Sequence, residues 1–421
     1  MFKFIHAADV HLDSPLRGLA RYESAPADAI RDACRRAFCN LVDLAIAEQV
    51  AFVLLAGDLY DGDWKDFSTG IFLSRQVGRL GQHNIPVVTI FGNHDAVNHM
   101  SKALDSPKNM TVLSARKVET IRLDSVRVAI HGRSFDERHV DENLAAGFGP
   151  AEAGWFNIGL LHTSLDGREG HAVYAPCSIG DLQAKGYQYW ALGHVHKQEV
   201  VAEDPWIVFP GCIQGRHIRE NGPKGCVLVT VEEGAVRQLE TVPLDVFRWV
   251  LCRVDLSDAD HVTAALERAR TAIVSEHAAA DGRPVAMRIR FEGATPIADE
   301  LAADPMRIEQ QLKMIAAEAV GEDLWIERVE QAVASKRELA TALSDDSAFG
   351  RLLKEILAAP GDPLEIDGLK EMLVDLRQRV PAEAFAADSG VNLEDQQTVK
   401  RLIEEARHML IGRLLTAGGG K

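Results

Sequence analysis

The run Ile85-Pro86-Val87-Val88-Thr89-Ile90-Phe91 is short, apolar and β-branched, and it stops at once on Gly92-Asn93-His94-Asp95. A run of that kind reads as a buried β-strand. An amide, an imidazole and a carboxylate follow it on consecutive residues, and this constrains the fold more than any other stretch. A strand releasing such groups at its carboxyl end places them at the edge where open α/β sheets bind ligands. Four further strand-like runs end the same way. Residues 3–8 lead to Asp9-Val10-His11, and 51–56 lead to Gly57-Asp58-Leu59-Tyr60-Asp61. Residues 157–161 lead to His162, and 189–192 lead to Gly193-His194-Val195-His196.

Helical spacing of apolar residues at 28–50 and about 67–83 separates the first three runs. Shorter strand-like segments follow at 111–113, 118–123 and 126–131, and again at 206–210, 225–232 and 236–242. Early alternation of strand and helix with late antiparallel pairing predicts an α/β fold, a mixed two-sheet sandwich flanked by helices. The pattern changes near Pro243. Residues 246–334 read as a small α+β unit, with strands at 246–256, 284–292 and 323–331 and helices at 259–280 and 305–319. No metal-type residues stand at strand ends there, so a substrate-shaping cap is expected. Residues 335–421 read as helices broken by Pro360, Pro363 and Pro381, with an apolar stripe of Val399, Leu402, Ile403, Ala406 and Leu410. Such a stripe suits docking on another helix or coiled coil, or packing back on the cap. The expected domains are therefore 1–245, 246–334 and 335–421, the last helical.

Asp9, His11, Asp58, Asn93, His162, His194 and His196 are seven nitrogen or oxygen donors without a thiolate. One divalent ion takes about four to six ligands, so seven donors with one shared carboxylate suit two ions. Asp58, at the end of a central strand, is the bridging candidate. Asp9, His11, Asp58 and His196 would hold one ion, and Asp58, Asn93, His162 and His194 the other. Imidazole and carboxylate without sulfur fit Mn, Fe, Zn or Co. Two such ions about 3.5–4 Å apart polarise a phosphoryl oxygen and generate hydroxide near neutral pH. His94 is left outside this division and is expected to protonate a leaving oxygen or stabilise charge on the transferring phosphoryl group. Asp61 and Asp95 either orient imidazoles or cap their loops.

The six cysteines form no CxxC pair, which points to buried thiols in a reducing cytosol. No run of eighteen apolar residues and no signal-like start is present, so a cytoplasmic protein without a membrane segment is expected. The net charge of −16 works against non-specific binding to a polyanion. Attraction for nucleic acid would have to come from bound cations, local basic clusters or a partner. Arg216, His217, Arg219 and Lys224 in one loop, and Arg17 and Arg21 in another, could hold phosphates or simply be solvated. Tyr60 and Trp64 could stack on a base or pack at a core edge.

In order, Asp-x-His, Gly-Asp, Gly-Asn-His-Asp, a lone His after a strand and Gly-His-x-His resemble the motifs of the calcineurin-like metallophosphoesterases. The stretches His6-Ala7-Ala8-Asp9-Val10-His11-Leu12-Asp13-Ser14-Pro15-Leu16, Tyr189-Trp190-Ala191-Leu192-Gly193-His194-Val195-His196-Lys197 and Gln214-Gly215-Arg216-His217-Ile218-Arg219-Glu220 resemble the SbcD-like DNA-repair exonucleases, in particular the bacterial YhaO-type proteins. The likeness is strong over about 1–245 and thinner beyond. It implies an αββα sandwich, metal-dependent cleavage of DNA phosphodiesters with Mn²⁺ as the usual ion, and a coiled-coil ATPase partner of the SMC-like (SbcC/YhaN) kind. Carried over residue by residue, the family's metal ligands fall on the seven donors and its catalytic histidine on His94. Cys212 departs from the small polar residue expected after Phe209-Pro210-Gly211. The expected function is an exonuclease in DNA repair, with endonuclease activity and homodimer formation open. Two alternatives stand beside it, a phosphatase for small phosphodiesters or nucleotides and an assembly subunit of weak nuclease activity.

Overall fold

The structure, a computed structural model, describes residues 1–14, 27–61, 67–96, 107–166, 174–335, 348–360, 372, 398–400, 402, 403, 406 and 407. These form two compact units. The first takes the described residues between Met1 and Leu16, between Ala27 and Arg216, and between Gly222 and Arg248. The second takes His217–Asn221 and the described residues from Trp249 onward.

In the first unit, β1 (Phe2–Ala7), β2 (Phe52–Ala56), β3 (Val87–Ile90) and β4 (Met110–Val112) run parallel. Between them lie the helices α1 (Ala27–Ala47) and α2 (Ser68–Gln82). A second group comprises β5 (Glu119–Leu123), β6 (Val128–Gly132), β7 (Phe156–His162), β8 (Tyr189–Gly193), β9 (Glu199–Glu203) and β10 (Trp206–Phe209). The short helix α3 (Ile179–Gln183) precedes β8, and β11 (Gly225–Glu232) and β12 (Ala235–Pro243) close the unit. One six-stranded sheet has the order β12-β11-β1-β2-β3-β4, the other β5-β6-β7-β8-β10-β9. β6, β7, β8 and β10 are parallel neighbours, whereas β11, β12, β5 and β9 pair antiparallel.

The layering follows from the period of two along a strand. Alternate residues of β1 and β2, Phe4, Phe52 and Leu54, pack against Ile130, Ile158, Leu160 and Tyr189 between the sheets. The intervening residues, Ile5, Ala7, Val53 and Leu55, meet Phe38, Leu41 and Val42 of α1 and Leu73, Val77 and Leu80 of α2. On the outer face of the other sheet, Leu161, Trp190, Leu192, Ile207 and Phe209 pack on Leu144, Phe148 and Leu182 of the connecting segments. The expected α/β sandwich of two sheets with flanking helices is therefore the observed architecture. The strand Glu199–Glu203 and the short helix α3, which carry no strong periodicity, were not predicted.

The second unit holds a three-stranded sheet in the order β13 (Arg248–Asp255), β14 (Val285–Thr295), β15 (Leu324–Ser335). Its helices are α4 (Val262–Ala278), α5 (Ala298–Ala303) and α6 (Pro305–Ala319). Asp304 accepts from the Arg307 amide and Pro305 occupies the first turn, the usual way to start such a helix. Val250, Cys252, Val254, Met287, Ile289 and Phe291 bury one face of the sheet against Ala265, Ile273, Ile308 and Leu312. Beyond it a helix spans Ala348–Ala358. Of the stripe expected near the end of the chain, Val399 is buried, Leu402 and Ile403 are half-buried, Ala406 is exposed, and Leu410 lies outside the described residues. Among the described residues no helix is long and apolar enough to cross a membrane.

Candidate metal centre

Parallel pairing puts the carboxyl ends of β1, β2 and β3 on one edge, and those of β7 and β8 on one edge of the facing sheet. His162 Nδ1 lies 2.9 Å from the carbonyl oxygen of Ala56, so the two edges meet. Close approach explains the small residues beside the donors. A Cβ on Gly92 would fall 2.8 Å from the His162 ring, and one on Gly193 would strike the Ala56 carbonyl.

The chain leaves β1, β2 and β8 by an unusual backbone conformation. Asp9, His11, Asp58 and His194 all have positive φ, of 51°, 47°, 52° and 100°. Asp tolerates the left-handed region better than most residues, but a cluster of such residues persists only where the surroundings over-determine it. The surroundings here are backbone rungs. The amides of Asp9, His11 and Leu12 donate to the carbonyls of Gly57, Asp58 and Leu59 at 3.1, 3.0 and 2.9 Å. The His194 amide donates to Asp9 at 3.0 Å, and the His94 amide to Asp58 Oδ1 at 2.9 Å.

All seven strand-end donors come to this junction. His11 Nε2 and His196 Nε2 are 3.2 Å apart, and His196 Nε2 is 3.7 Å from Asp9 Oδ1. Asp58 Oδ2 lies 3.4 Å from His162 Nε2 and 3.9 Å from His11 Nε2. His162 Nε2 is 3.1 Å from Asn93 Oδ1, and the rings of His162 and His194 are 5.2 Å apart. Asp9, His11 and His196 offer three atoms within 4.8 Å of one another, as do Asp9, Asp58 and His162. Asp9 belongs to both groups, and Asp58 stands between His11 and His162. Because β8 ends at Gly193, His194 and His196 are loop residues whose rings reach different neighbours, His162 and His11.

The donor set fits a pair of cations. Asp9, His11, Asp58 and His162 are almost fully buried, and His11 Nδ1 has no hydrogen-bond partner among the described residues. Buried polar groups are normally satisfied and buried charges paired. Burial pushes the Asp9 carboxyl up and the His11 imidazole well down, so both resist holding charge on their own. Burial would also raise Asp58, but His162 beside it, with His94 and His11, holds its carboxyl well below the usual range. The His162 imidazole, which burial would lower, is carried by Asp58 to about 9.

His94, Asp61 and Arg216 form the more open side of the site. His94 is 31 % exposed against 2 % or less for Asp58 and His162. Its Nδ1 lies 2.8 Å from Asp61 Oδ1, and this carboxylate, with Asp58, raises the His94 imidazole against the effect of burial. Ser14 Oγ donates to Asp61 at 2.6 Å and Arg216 Nη1 at 3.2 Å, while Arg216 Nη2 lies 3.4 Å from His196 Nδ1. Asp61 therefore does orient an imidazole. For Asp95 the other alternative, capping the loops, holds. Its fully buried carboxylate accepts from the amides of Gly92, Leu59 and Tyr60 at 3.0, 3.2 and 3.0 Å and so ties two donor loops together. Tyr60 is buried and offers no face to a base, and Trp64 lies outside the described residues.

Of the expected phosphate contacts, Arg216 is in this group of side chains and Arg17, like Arg21, lies outside the described residues. His217 and Arg219 belong to the second unit, where His217 Nε2 is 3.6 Å from Glu220 and Arg219 is exposed. Two aromatic neighbours went unnoticed in the sequence. The Phe135 ring stands perpendicular to His162 at 5.5 Å and the Tyr174 ring to His194 at 5.3 Å. Both stand in irregular segments with no periodic signal.

Comparison with known proteins agrees with this geometry. Residues 2–198 match the model of the calcineurin-like phosphoesterases. The chain is 32 % identical over 413 residues to a Bacillus subtilis protein named "Uncharacterized metallophosphoesterase YhaO", covering 97 % of this chain and 96 % of that one. The chain belongs to the calcineurin-like metallophosphoesterases. Within that family, residues 249–334 match the middle domain of the metallophosphoesterase YhaO. This metallophosphoesterase is also 26 % identical over 290 residues to the "DNA double-strand break repair protein Mre11" of Aeropyrum pernix, covering 64 % of this chain and 67 % of that one. The Sulfurisphaera tokodaii protein of the same name is 26 % identical over 267 residues, with 58 % and 63 % covered. A solved dimetal phosphatase of Danio rerio aligns with 55 % of this chain and 93 % of its own, at 11 % identity and a TM-score of 0.34. The chain is thus a metallophosphoesterase whose family and donor set imply two divalent ions.

Proposed function

We propose that this metallophosphoesterase is a DNA phosphodiesterase, an exonuclease of DNA repair that works with an SMC-like coiled-coil ATPase. The observation that carries the chemistry is the convergence of Asp9, His11, Asp58, Asn93, His162, His194 and His196 on one junction beside His94. Asp9, His11, Asp58 and His196 would hold one ion, and Asp58, Asn93, His162 and His194 the second. When bound, the ions, Mn²⁺ on this reading, neutralise phosphate charge and make hydroxide available near neutral pH.

The protein's own groups supply the rest. The Asp61 carboxylate fixes the His94 ring through Nδ1, which leaves Nε2 to face the substrate. A proton held at Nε2 is in position for the leaving oxygen of the scissile ester. Arg216, anchored on Asp61, sets a guanidinium beside His196, where a phosphate oxygen can be gripped. The Mre11 relatives, named for double-strand break repair, support DNA as the substrate.

With Mn²⁺, the purified full chain should shorten end-labelled linear duplex. His94→Ala should lower that rate at least about 100-fold with both ions still bound. Equal rates for the variant and the wild type would remove His94 from the chemistry. A second reading, a phosphatase of small phosphodiesters, is favoured by the net charge of −16. Turnover of cyclic nucleotides or bis-p-nitrophenyl phosphate with no digestion of DNA would select it.

A further inference from the structure

Asp13 lies four residues past Asp9 and also has positive φ, 57°, so three of the five residues from Asp9 to Asp13 are left-handed. The backbone rungs to Gly57, Asp58 and Leu59 hold this segment from the side of β2. A further anchor is a side chain. Arg35 of α1 donates through Nε to Asp13 Oδ1 at 2.7 Å and through Nη2 to Oδ2. Thr69, buried in the first turn of α2, donates its hydroxyl to the same Oδ2. The guanidinium also lies over the Phe72 ring of α2, 5.2 Å from its centre. A bidentate arginine with a third donor is a geometrically specific contact, unlike a loose surface ion pair. It ties the loop to two helices that are themselves packed on β1 and β2.

We propose that Asp13, clamped by Arg35 and Thr69, is a positioning residue that holds the His11 imidazole in place and thereby sets the affinity of the ion on the His11 side. The inference rests on the two-ion reading above. Its selectivity comes from the other bonds in the site. Asn93 and His162 are held by each other and by the Ala56 carbonyl, and none of these contacts runs through the Asp13 loop. Loss of the clamp therefore loosens His11 but leaves Asn93 and His162 supported, and Asp9, to which the His194 amide donates, keeps its own rung to Gly57.

The experiment is a Mn²⁺ titration of the full chain by calorimetry and by the electron paramagnetic resonance of the bound ions. It compares wild type, Asp13→Ala, Arg35→Ala, the double variant, Arg35→Lys and Thr69→Val. Melting in chelator is recorded for each. Removing a residue that orients a ligand costs about 10- to 100-fold in metal affinity. Asp13→Ala and Arg35→Ala should each weaken one ion by that factor and leave the other within about threefold of wild type. The double variant should add nothing to either, and Arg35→Lys should restore part of the loss. Wild-type binding of both ions in the single variants overturns the proposal. So does equal weakening of both ions in proportion to a lower melting temperature in chelator, which would mark general loosening. Should Asp13→Ala fail to fold, Thr69→Val must show the same one-ion effect in smaller measure, and its absence overturns the proposal as well. A wild-type chain that binds fewer than two ions refutes the two-ion reading itself, and the clamp's role falls with it.

Discussion

Replacing Gly92 by alanine tests the geometry of the site without touching any donor. Gly92 precedes Asn93 in the loop after β3, and its φ is not positive, so the effect of the substitution is steric. The added Cβ would lie 2.8 Å from His162 Cε1 and Nε2 and closer still to Asp58 Oδ1. Van der Waals contact needs about 3.5 Å, so His162 must retreat by about 0.7 Å and Asp58 by about 1 Å. Neither has room to do so freely, because His162 is held by Ala56 and Asp58 by the His94 amide. A misplacement of about 1 Å in a catalytic constellation costs on the order of 100-fold in rate. Overpacking a tight site costs about 1–3 kcal/mol of stability. Turnover of bis-p-nitrophenyl phosphate should therefore fall about 100-fold, with weaker Mn²⁺ binding and a preserved circular dichroism spectrum. Gly78→Ala in α2 is the control. Its Cβ meets nothing within 4 Å, so only helix propensity changes, and stability should rise by about 1 kcal/mol. Full metal binding and full turnover in Gly92→Ala would show that Asp58 and His162 do not act where the structure puts them.

Two further outcomes follow from buried ionisable groups. His6 is wholly buried between Tyr189 and the Leu192 carbonyl, and burial lowers its pKa from 6.5 to about 3. Between those values the unfolded chain binds more protons than the folded one, so stability is complete above about pH 6.5 and falls on acidification by ~1 kcal/mol per pH unit. Denaturant midpoints measured in chelator should show this slope, and His6→Gln should flatten it. An unchanged slope in the variant would assign it to another group. Removal of divalent ions should lower the melting temperature, since Asp9 and Asp58 are then left buried together. Readdition of Mn²⁺ at about 100 times its dissociation constant should stabilise the fold by about 2.7 kcal/mol per site. A melting temperature indifferent to Mn²⁺ would contradict the donor assignment.

The donors were legible in the sequence because the signal for each is local. A short β-branched run fixes where a strand ends, and the next one to five residues carry the chemistry, as at Ala56-Gly57-Asp58 and Ile90 to His94. Parallel pairing then brings those ends to one edge without any further choice. The carboxylates that support the donors were not legible in this way. Asp61 and Asp95 look alike as loop acids, yet Asp61 meets His94 and Arg216 while Asp95 meets three backbone amides. Asp13 reads as one more turn residue until Arg35 and Thr69 are seen around it.

The sequence by itself determined the strand ends, the kinds of donor standing on them and hence the class of chemistry. Tertiary structure alone decided that His11 faces His196 across 185 positions, that Arg216 reaches Asp61 across 155, and that glycine is needed where the sheets touch. The reason is physical. Strand formation and its termination are set within a few residues by side-chain shape and period. Which polar groups then share a site depends on how two packed sheets and their helices come together, and no local pattern encodes that.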